Sequence, residues 1–323
     1  MLRAAGWLYG HVIDIRNALY DRGIFRSHSL GARTISVGNI TTGGTGKTPL
    51  VAYVAELLAD AGEKVCILTR GFGRDSAGRI LVSDGERVLV DEREGGDEPV
   101  ELAQKLIGKA IVVADADRVA AAKWAREKFG ITSFVLDDGF QHRRARRDLD
   151  ILCIDATDPL GNSQMLPGGR LREAVINIKR ADVVAVTRTE MAPGTEMIRW
   201  IVEEANPRAE MFRFKTRIVG EPADRPALAF CGLGNPNNFF ELLRASDFDV
   251  RATKSFPDHH RYTQSDVTRI ETEAGSNGAQ ILLTTAKDFV KLKRITFEMP
   301  VRVIEIRMEI DDEKGFRDLV IPS

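Results

Sequence analysis

A mainly parallel α/β sheet sandwiched by helices, followed by a second and smaller α/β domain, is the fold that the sequence predicts. Three observations carry it. Short β-rich runs without polar alternation alternate with helical patterns, which is how strands buried on both faces read. The hexapeptide Gly43-Gly44-Thr45-Gly46-Lys47-Thr48 stands between the apolar run Thr34–Val37 and a helical stretch beginning at Thr48. Strand, glycine-rich turn and helix headed by Lys-Thr form the phosphate-cradling arrangement, so the first domain is P-loop NTPase-like. Around residues 216–226 the pattern breaks, with Gly220, Pro222 and Pro226 in a polar stretch, after which strands resume. The organisation expected is an amphipathic helix over 1–30, a P-loop core domain over 31–222 and a smaller α/β domain over 223–323.

In chain order the first element is the N-terminal helix. Leu8, Val12, Ile15 and Leu19 recur at spacings of four, three and four, one face of a helix. Arg3, Arg16, Arg22, Arg26 and Arg33 outweigh Asp14 and Asp21, and Trp7 and Tyr9 sit near the helix start. A basic amphipathic helix with aromatic rings suits a membrane interface. A helix packed on the protein's own core shows the same periodicity, and on periodicity alone that reading is favoured. Strands are expected at Thr34–Val37, Val65–Thr69, Ile111–Ala114, Ser133–Asp137, Ile151–Ile154 and Val183–Thr187. Helices are expected at Thr48–Ala61, Val100–Ile107, Arg118–Phe129 and Thr195–Ala205. Arg79–Val82 and Arg87–Val90, joined around Asp84-Gly85, read as a hairpin set aside from the main sheet. In the second domain strands are expected at Ala227–Cys231, Ile281–Thr284 and Val301–Ile306, with helices near Asn237–Ala245 and Asp266–Glu273.

The chain has 323 residues, 43% of them hydrophobic, and a net charge of −1, which argues against a general nucleic-acid binder. Cys66, Cys153 and Cys231 are scattered through apolar runs and read as buried thiols in a reducing compartment. No run approaches the ~18–20 apolar residues of a membrane span, and no signal-peptide pattern opens the chain. The cytoplasm is the expected compartment.

The phosphate loop defines the first chemistry. Backbone N–H groups of Thr42, Gly43, Gly44, Thr45 and Gly46 would face the anion, and the helix N-terminus adds its dipole. Lys47 would reach the β/γ-phosphates, Thr48 would ligate Mg2+, and Pro49 fits a first helical turn. Thr41 stands where the full Walker pattern has glycine. The strand Ser133–Asp137 runs into Asp137-Asp138-Gly139, and an acid at the end of a strand beside a phosphate loop holds Mg2+. Adjacent strand residues face opposite ways, so one of the pair is the direct ligand, with Asp138 preferred. A plain Asp-Asp-Gly turn is the alternative. Arg143, Arg144, Arg146 and Arg147 follow, a phosphate-binding cluster or a solvated basic loop. Asp97 in Gly96-Asp97-Glu98-Pro99 is either a helix cap, which the local pattern favours, or a general base. His259 and His260 in Phe256-Pro257-Asp258-His259-His260 read locally as surface residues of a turn. Thr285-Ala286-Lys287-Asp288 reads as a helix start, and Arg172-Glu173 is mute on its own.

Together these segments resemble the tetraacyldisaccharide 4′-kinase family, the lipid A 4′-kinases of Gram-negative bacteria. The matching stretches are Ser36-Val37-Gly38-Asn39 with Gly43–Thr48, Gly96-Asp97-Glu98-Pro99, Leu136-Asp137-Asp138-Gly139-Phe140-Gln141-His142, Arg147-Asp148-Leu149-Asp150, Leu171-Arg172-Glu173, Phe256-Pro257-Asp258-His259 and Thr284-Thr285 with Lys287-Asp288. They run in consistent order from about residue 7 to 293. The resemblance implies transfer of the ATP γ-phosphoryl group to the 4′-hydroxyl of tetraacyldisaccharide 1-phosphate, giving lipid IVA. It makes Asp97 the base with His259 as its partner, reversing both local readings. It makes Asp138 the Mg2+ ligand with Thr48, helped by Asp137 and by Glu173, and gives Lys47 the charge on the transferring group. Asn39, Gln141, His142, Arg143 and Arg172 become candidate substrate contacts, with the arginine run facing the 1-phosphate or anionic lipid. The N-terminal helix becomes interfacial, on the cytoplasmic face of the inner membrane, peripheral or monotopic. The lipid substrate and the membrane surface are the expected partners, with no nucleic acid and no obligate protein partner. Two rival readings remain at this stage. One is a P-loop GTPase of metallochaperone type, for which Asp182–Val186 with Thr187-Arg188-Thr189-Glu190 loosely echoes a guanine-reading loop. The other is a non-catalytic, membrane-peripheral nucleotide-binding adaptor.

Overall fold

The computed structural model describes residues 2–192 and 194–321. Nine strands form the large sheet: β1 (Arg33–Gly38), β2 (Val65–Thr69), β3 (Ile80–Ser83), β4 (Ala110–Ala114), β5 (Ser133–Asp137), β6 (Leu149–Asp155), β7 (Val183–Thr187), β8 (Glu210–Ile218) and β13 (Ile306–Ile310). Their order is β13-β8-β7-β6-β1-β5-β2-β4-β3. Every neighbouring pair is parallel except the two outermost, β3–β4 and β13–β8. β2, β4, β5, β6 and β7 are buried along their whole length, mostly through apolar residues, with Asp137 of β5 and Asp150 and Asp155 of β6 buried among them.

Alternate residues of each strand feed opposite faces. Ile35, Val37, Ile67 and Val135 meet α2 (Lys47–Asp60), α4 (Asp97–Lys105) and α10 (Glu313–Val320). Cys66, Leu68, Phe134 and Leu136 meet α5 (Arg118–Phe129), while Leu152, Ile154, Val184 and Val186 meet α6 (Glu196–Ala205). A one-turn helix, α3 (Glu92–Gly95), precedes α4 and is capped by Asp91.

The small sheet is wholly parallel, in the order β10-β9-β11-β12, from β9 (Ala227–Cys231), β10 (Val250–Ser255), β11 (Ile281–Thr285) and β12 (Val301–Ile304). α7 (Pro236–Ala245) covers one face through Phe239, Phe240 and Leu243, and α8 (Gln264–Ser276) the other through Val267, Ile270 and Ala274. The short α9 (Ala286–Phe289) follows β11.

The single strand expected at Val301–Ile306 is two. β12 closes the small sheet, and β13 pairs antiparallel with β8 of the large one, Met308 opposite Thr216. α10 then buries Phe316 against Tyr53, Phe212 and Phe214. Residues 306–320 therefore lie with the large sheet, not with the smaller unit expected over 223–323. The expected hairpin is a single strand, β3, which extends the edge of the large sheet beside β4, with Val88 bridging back to Ser83.

The first helix, α1 (Leu2–Asp21), is amphipathic the wrong way round for a core helix. Leu8, Val12 and Ile15 are 59, 55 and 62% exposed. Among the described side chains of this helix, the buried residues are Gly6, Gly10 and Asn17. A Cβ at Gly6 would come within 2.9 Å of the Met165 carbonyl oxygen, so only glycine permits this approach. The apolar stripe faces outward, against the core-packing expectation from periodicity.

Candidate active site

The phosphate loop joins β1 to α2, and Gly46 opens the helix at φ 81°, a left-handed conformation that glycine adopts without strain. Its carbonyls are tied to the surrounding protein. Thr45 O accepts from the Thr187 hydroxyl at 2.8 Å and the Cys153 thiol at 2.9 Å. Gly44 O accepts from Arg188 at 2.6 Å, and Thr42 O from Arg170 at 2.7 and 3.0 Å. Asn39 braces the loop from below, donating to Thr45 Oγ1 at 3.0 Å and accepting from Arg172 at 3.2 Å.

β5 delivers the two acids beside this loop. Asp138 takes φ 53°, a turn conformation that aspartate tolerates. Arg172 grips both its oxygens, at 2.6 and 2.9 Å, and Lys47 Nζ lies 3.7 Å away. Burial works against ionisation of Asp138, but Lys47 and Arg172 outweigh it and hold its pKa down to about 2. Asp137 is 4% exposed and receives one hydrogen bond from the Thr69 hydroxyl, at 2.9 Å. Burial, with Glu98 and Asp138 close by, pushes its pKa up to about 7.

The third component spans the two sheets. Asp97 heads α4, and His259 follows β10 on the loop after Phe256-Pro257-Asp258. Across a separation of 162 residues, His259 Nδ1 lies 2.9 and 3.1 Å from the two Asp97 oxygens. The carboxylate makes no capping bond to the first turn beyond the Glu98 N–H at 3.0 Å. Burial pushes the Asp97 pKa up; the hydrogen bond from His259 and the charges of Lys287 and Lys291 outweigh it, so the net shift is downward. The same hydrogen bond raises His259. His259 holds φ 60°, and such left-handed non-glycine residues concentrate at functional sites. Its neighbour His260 stacks on Phe256 and contacts Asp266 instead.

Some expected site residues do other work. Glu173 is fully buried, and its oxygens are taken by Arg180 at 2.7 and 3.2 Å and by Asn17 of α1 at 2.9 Å. With both oxygens committed, it is no metal ligand in this arrangement. Arg143 donates to the Asn17 carbonyl and to Asp21, at 2.8 and 2.7 Å, so it clamps α1 where a substrate contact was expected. Arg144 and Arg147 pair with Asp117 and Asp150. Gln141 donates to Asn39 O and its carbonyl accepts from Arg16. Burial, with Arg118 and Arg147 nearby, pushes the His142 pKa down to about 4.

Sequence reasoning missed three cations. Arg118, 5% exposed at the head of α5, faces Asp137 and Asp138. Lys287 bridges Glu98 of the large sheet's side and Asp258 of the small, both at 3.1 Å, and Lys291 lies 3.9 Å from Asp97. Two of them had a signal: Arg118 is a cation in the first helical turn, which opposes the dipole and needs an acid to offset it, and Lys287 lies in the Thr284-Thr285 with Lys287-Asp288 stretch that matches the family.

A family model described as tetraacyldisaccharide-1-P 4′-kinase matches residues 1–322. The chain belongs to this family. Relatives named tetraacyldisaccharide 4′-kinase include that of Geobacter metallireducens, 42% identical over 88% of this chain and 86% of its own length. That of Desulfotalea psychrophila is 36% identical over 100% of this chain and 97% of its own. A solved structure of LpxK from Aquifex aeolicus in complex with ATP superposes with a TM-score of 0.80 at 35% identity, covering 99% of this chain and 98% of that one. The activity is the family's: ATP phosphorylates the 4′-hydroxyl of tetraacyldisaccharide 1-phosphate in lipid A biosynthesis. The GTPase and adaptor readings give way to it. Among the described residues, no cluster of three or more histidine, cysteine or acidic side chains forms a metal site by itself.

Proposed function

We propose that the Asp97–His259 pair is the base of this kinase, that Thr48 and Asp137 hold Mg2+, and that α1 seats the enzyme on a membrane surface beside its lipid substrate. The observation that carries the reading is the contact of His259 Nδ1 with both Asp97 oxygens across the two sheets.

Asp97 accepts the proton of the 4′-hydroxyl while the new O–P bond forms and the bond to the β-phosphate oxygen breaks, releasing ADP. His259 keeps Asp97 ionised and aimed despite its burial, and shares the charge change. Lys47 follows the γ-phosphoryl group, and the N–H groups at the head of α2 hold the phosphates. Asp137 suits the cation better than the Asp138 preferred on sequence, because Arg172 already occupies both oxygens of Asp138. A buried acid crowded by Glu98 and Asp138 is relieved by a divalent ion, and a phosphate-loop Mg2+ needs few protein ligands because phosphates and water complete its shell. A cation held by Thr48 and Asp137 would supply charge neutralisation to the transferring phosphoryl group.

The outward Leu8, Val12 and Ile15, with Trp7 at 65% exposure, support an in-plane helix on the cytoplasmic face of the inner membrane, where ATP is available. No helix of the described residues is long and apolar enough to cross a membrane. The deciding experiment follows γ-phosphate label from ATP into the lipid acceptor in detergent micelles. Asp97→Asn is expected to lower kcat by about 10²–10⁴-fold with ATP affinity unchanged; retention of turnover would remove Asp97 from the role.

A further inference from the structure

Lys291 is buried to 7% side-chain exposure on the turn after α9, between Asp288, itself fully buried, and Asp97. Its ammonium lies 2.9 Å from Asp288 Oδ1 and 3.9 Å from Asp97 Oδ2, above the Tyr262 ring at 5.4 Å. Asp288 is held in turn. Its other oxygen accepts from the Gly232 N–H at 3.0 Å and the Thr285 hydroxyl at 2.8 Å. Gly232 opens the loop that carries Gly234 onto the phosphate loop: a Cβ at Gly234 would lie 3.4 Å from Gly44 N and 3.5 Å from Gly43 Cα. A continuous run of contacts therefore leads from the small sheet, where it meets the phosphate loop, through Gly232, Asp288 and Lys291 to Asp97.

We propose that Lys291 is a positioning residue for phosphoryl transfer: a buried ammonium, carried by the small sheet and anchored by Asp288, that sets the Asp97 carboxylate in its working orientation once that sheet is seated on the phosphate loop. This rests on Asp97 being the base. The physics is that of a fixed charge in a dry site. His259 Nδ1 contacts both Asp97 oxygens and Lys291 Nζ adds a second positive group near Oδ2, so two groups from the small sheet's side act on the one carboxylate. Removing the ammonium leaves Asp97 and Asp288 as neighbouring buried carboxylates without their shared cation. The charged groups around Asp97 are Glu98 and Glu101 on its own helix, Asp258 and His259 on the loop after β10, and Lys287, Asp288 and Lys291 on the α9 segment. Lys287 also acts on Asp97 through its charge but forms its ion pairs with Glu98 and Asp258, whereas Lys291 is the lysine whose ammonium comes within 4 Å of the Asp97 carboxylate.

The test compares wild type, Lys291→Met, Lys291→Arg, Asp97→Asn and the double variant Asp97→Asn/Lys291→Met, using radiolabelled ATP with Mg2+ and the lipid acceptor in micelles. Lys291→Met is expected to lower kcat about 10- to 100-fold with the KM for ATP unchanged, and to move the acid limb of kcat/KM to higher pH. Lys291→Arg recovers most of the rate. In the Asp97→Asn background Lys291→Met costs nothing further, because the group it acts through is gone. Wild-type kcat in Lys291→Met, an unmoved acid limb, or an equal loss in the Asp97→Asn background would each overturn the proposal. Thermal unfolding with and without ATP establishes that each variant is folded, and Lys291→Gln replaces Lys291→Met in every comparison if the latter is not. If Asp97→Asn is itself active, the base assignment falls. An inactive Asp97→Asn with a wild-type-like Lys291→Met overturns only the role of Lys291.

Discussion

Asp97 keeps its charge in a site that opposes charge. Burial is the largest influence on its carboxyl and raises its pKa, yet the hydrogen bond from His259 and the lysine charges bring the net shift below the ordinary carboxylate value. The sign of a pH experiment follows. In His259→Ala the burial remains and the leading stabiliser of the anion is lost, so the Asp97 pKa rises. The acid limb of kcat/KM is expected to move to higher pH, with kcat lowered and ATP affinity nearly unchanged, read from a profile between about pH 5 and pH 8. An unmoved limb would show that Asp97 does not depend on His259. The local sequence around either residue could not reveal this, since Gly-Asp-Glu-Pro is good helix-start chemistry and Pro-Asp-His-His a good turn. Glu173 and Arg143 illustrate the reverse: acid and base types that suit a metal or a phosphate, but which meet Arg180 and α1 in the folded chain.

At the level of elements, α1 separates periodicity from burial. A face of Leu8, Val12 and Ile15 predicts an apolar contact but is silent on whether core or lipid supplies it. Here the docked face is built from glycine and polar groups. Gly6 and Gly10 approach Met165, Asn17 bonds Glu173, Tyr9 donates to the Arg172 carbonyl, and Arg16 to that of Gln141. Two of these anchors, Arg172 and Gln141, also touch the Asp138–Asn39 framework of the site. Replacing Leu8, Val12 and Ile15 together by serine is expected to change the unfolding free energy only within the small range of surface substitutions, about 0.5 kcal/mol per site. Partitioning onto anionic vesicles should fall by about a hundredfold or more, since each apolar side chain contributes about 1.5–3 kcal/mol on leaving water. Sedimentation of protein with the vesicles reads the effect, and unchanged partitioning would remove α1 from the interface.

For the whole molecule, the return of the chain to the large sheet matters most. β13 covers the outer edge of β8, and α10 packs Phe316 at 0% exposure among Phe212, Phe214 and Tyr53. The small sheet is thus an insertion held at both ends, entering through the stretch after β8 and leaving through β12 into β13. The chain ties it to the large sheet at both ends, and Lys287 links Asp258 on its side to Glu98 on the other. Phe316→Ala is expected to destabilise the large sheet by about 3–5 kcal/mol, measured by denaturant unfolding. A loss below about 1 kcal/mol would mean that α10 is not part of that core.

What the sequence determined alone is whatever depends on near neighbours. β2, β5, β7, β9 and α5 begin and end where the pattern put them, because a doubly buried strand is an uninterrupted apolar run and α5 has a clear cap in Asp117 and a left-handed glycine stop in Gly130. The phosphate loop and the acids closing β5 were legible for the same reason. β8 and β10 escaped notice because charged residues interrupt them, which an apolar-run reading passes over: β8 buries Phe212, Phe214 and Thr216 and exposes the residues between them, and β10 carries Arg251 and Lys254. Tertiary structure alone decided which distant partner a polar side chain met. Thr216 pairs opposite Met308, Glu173 meets Asn17, and Asp97 meets His259 and Lys291 only because two sheets close on one another. Such contacts depend on which edges and faces remain free after local structure has formed, a property of the assembled fold that no window of sequence contains.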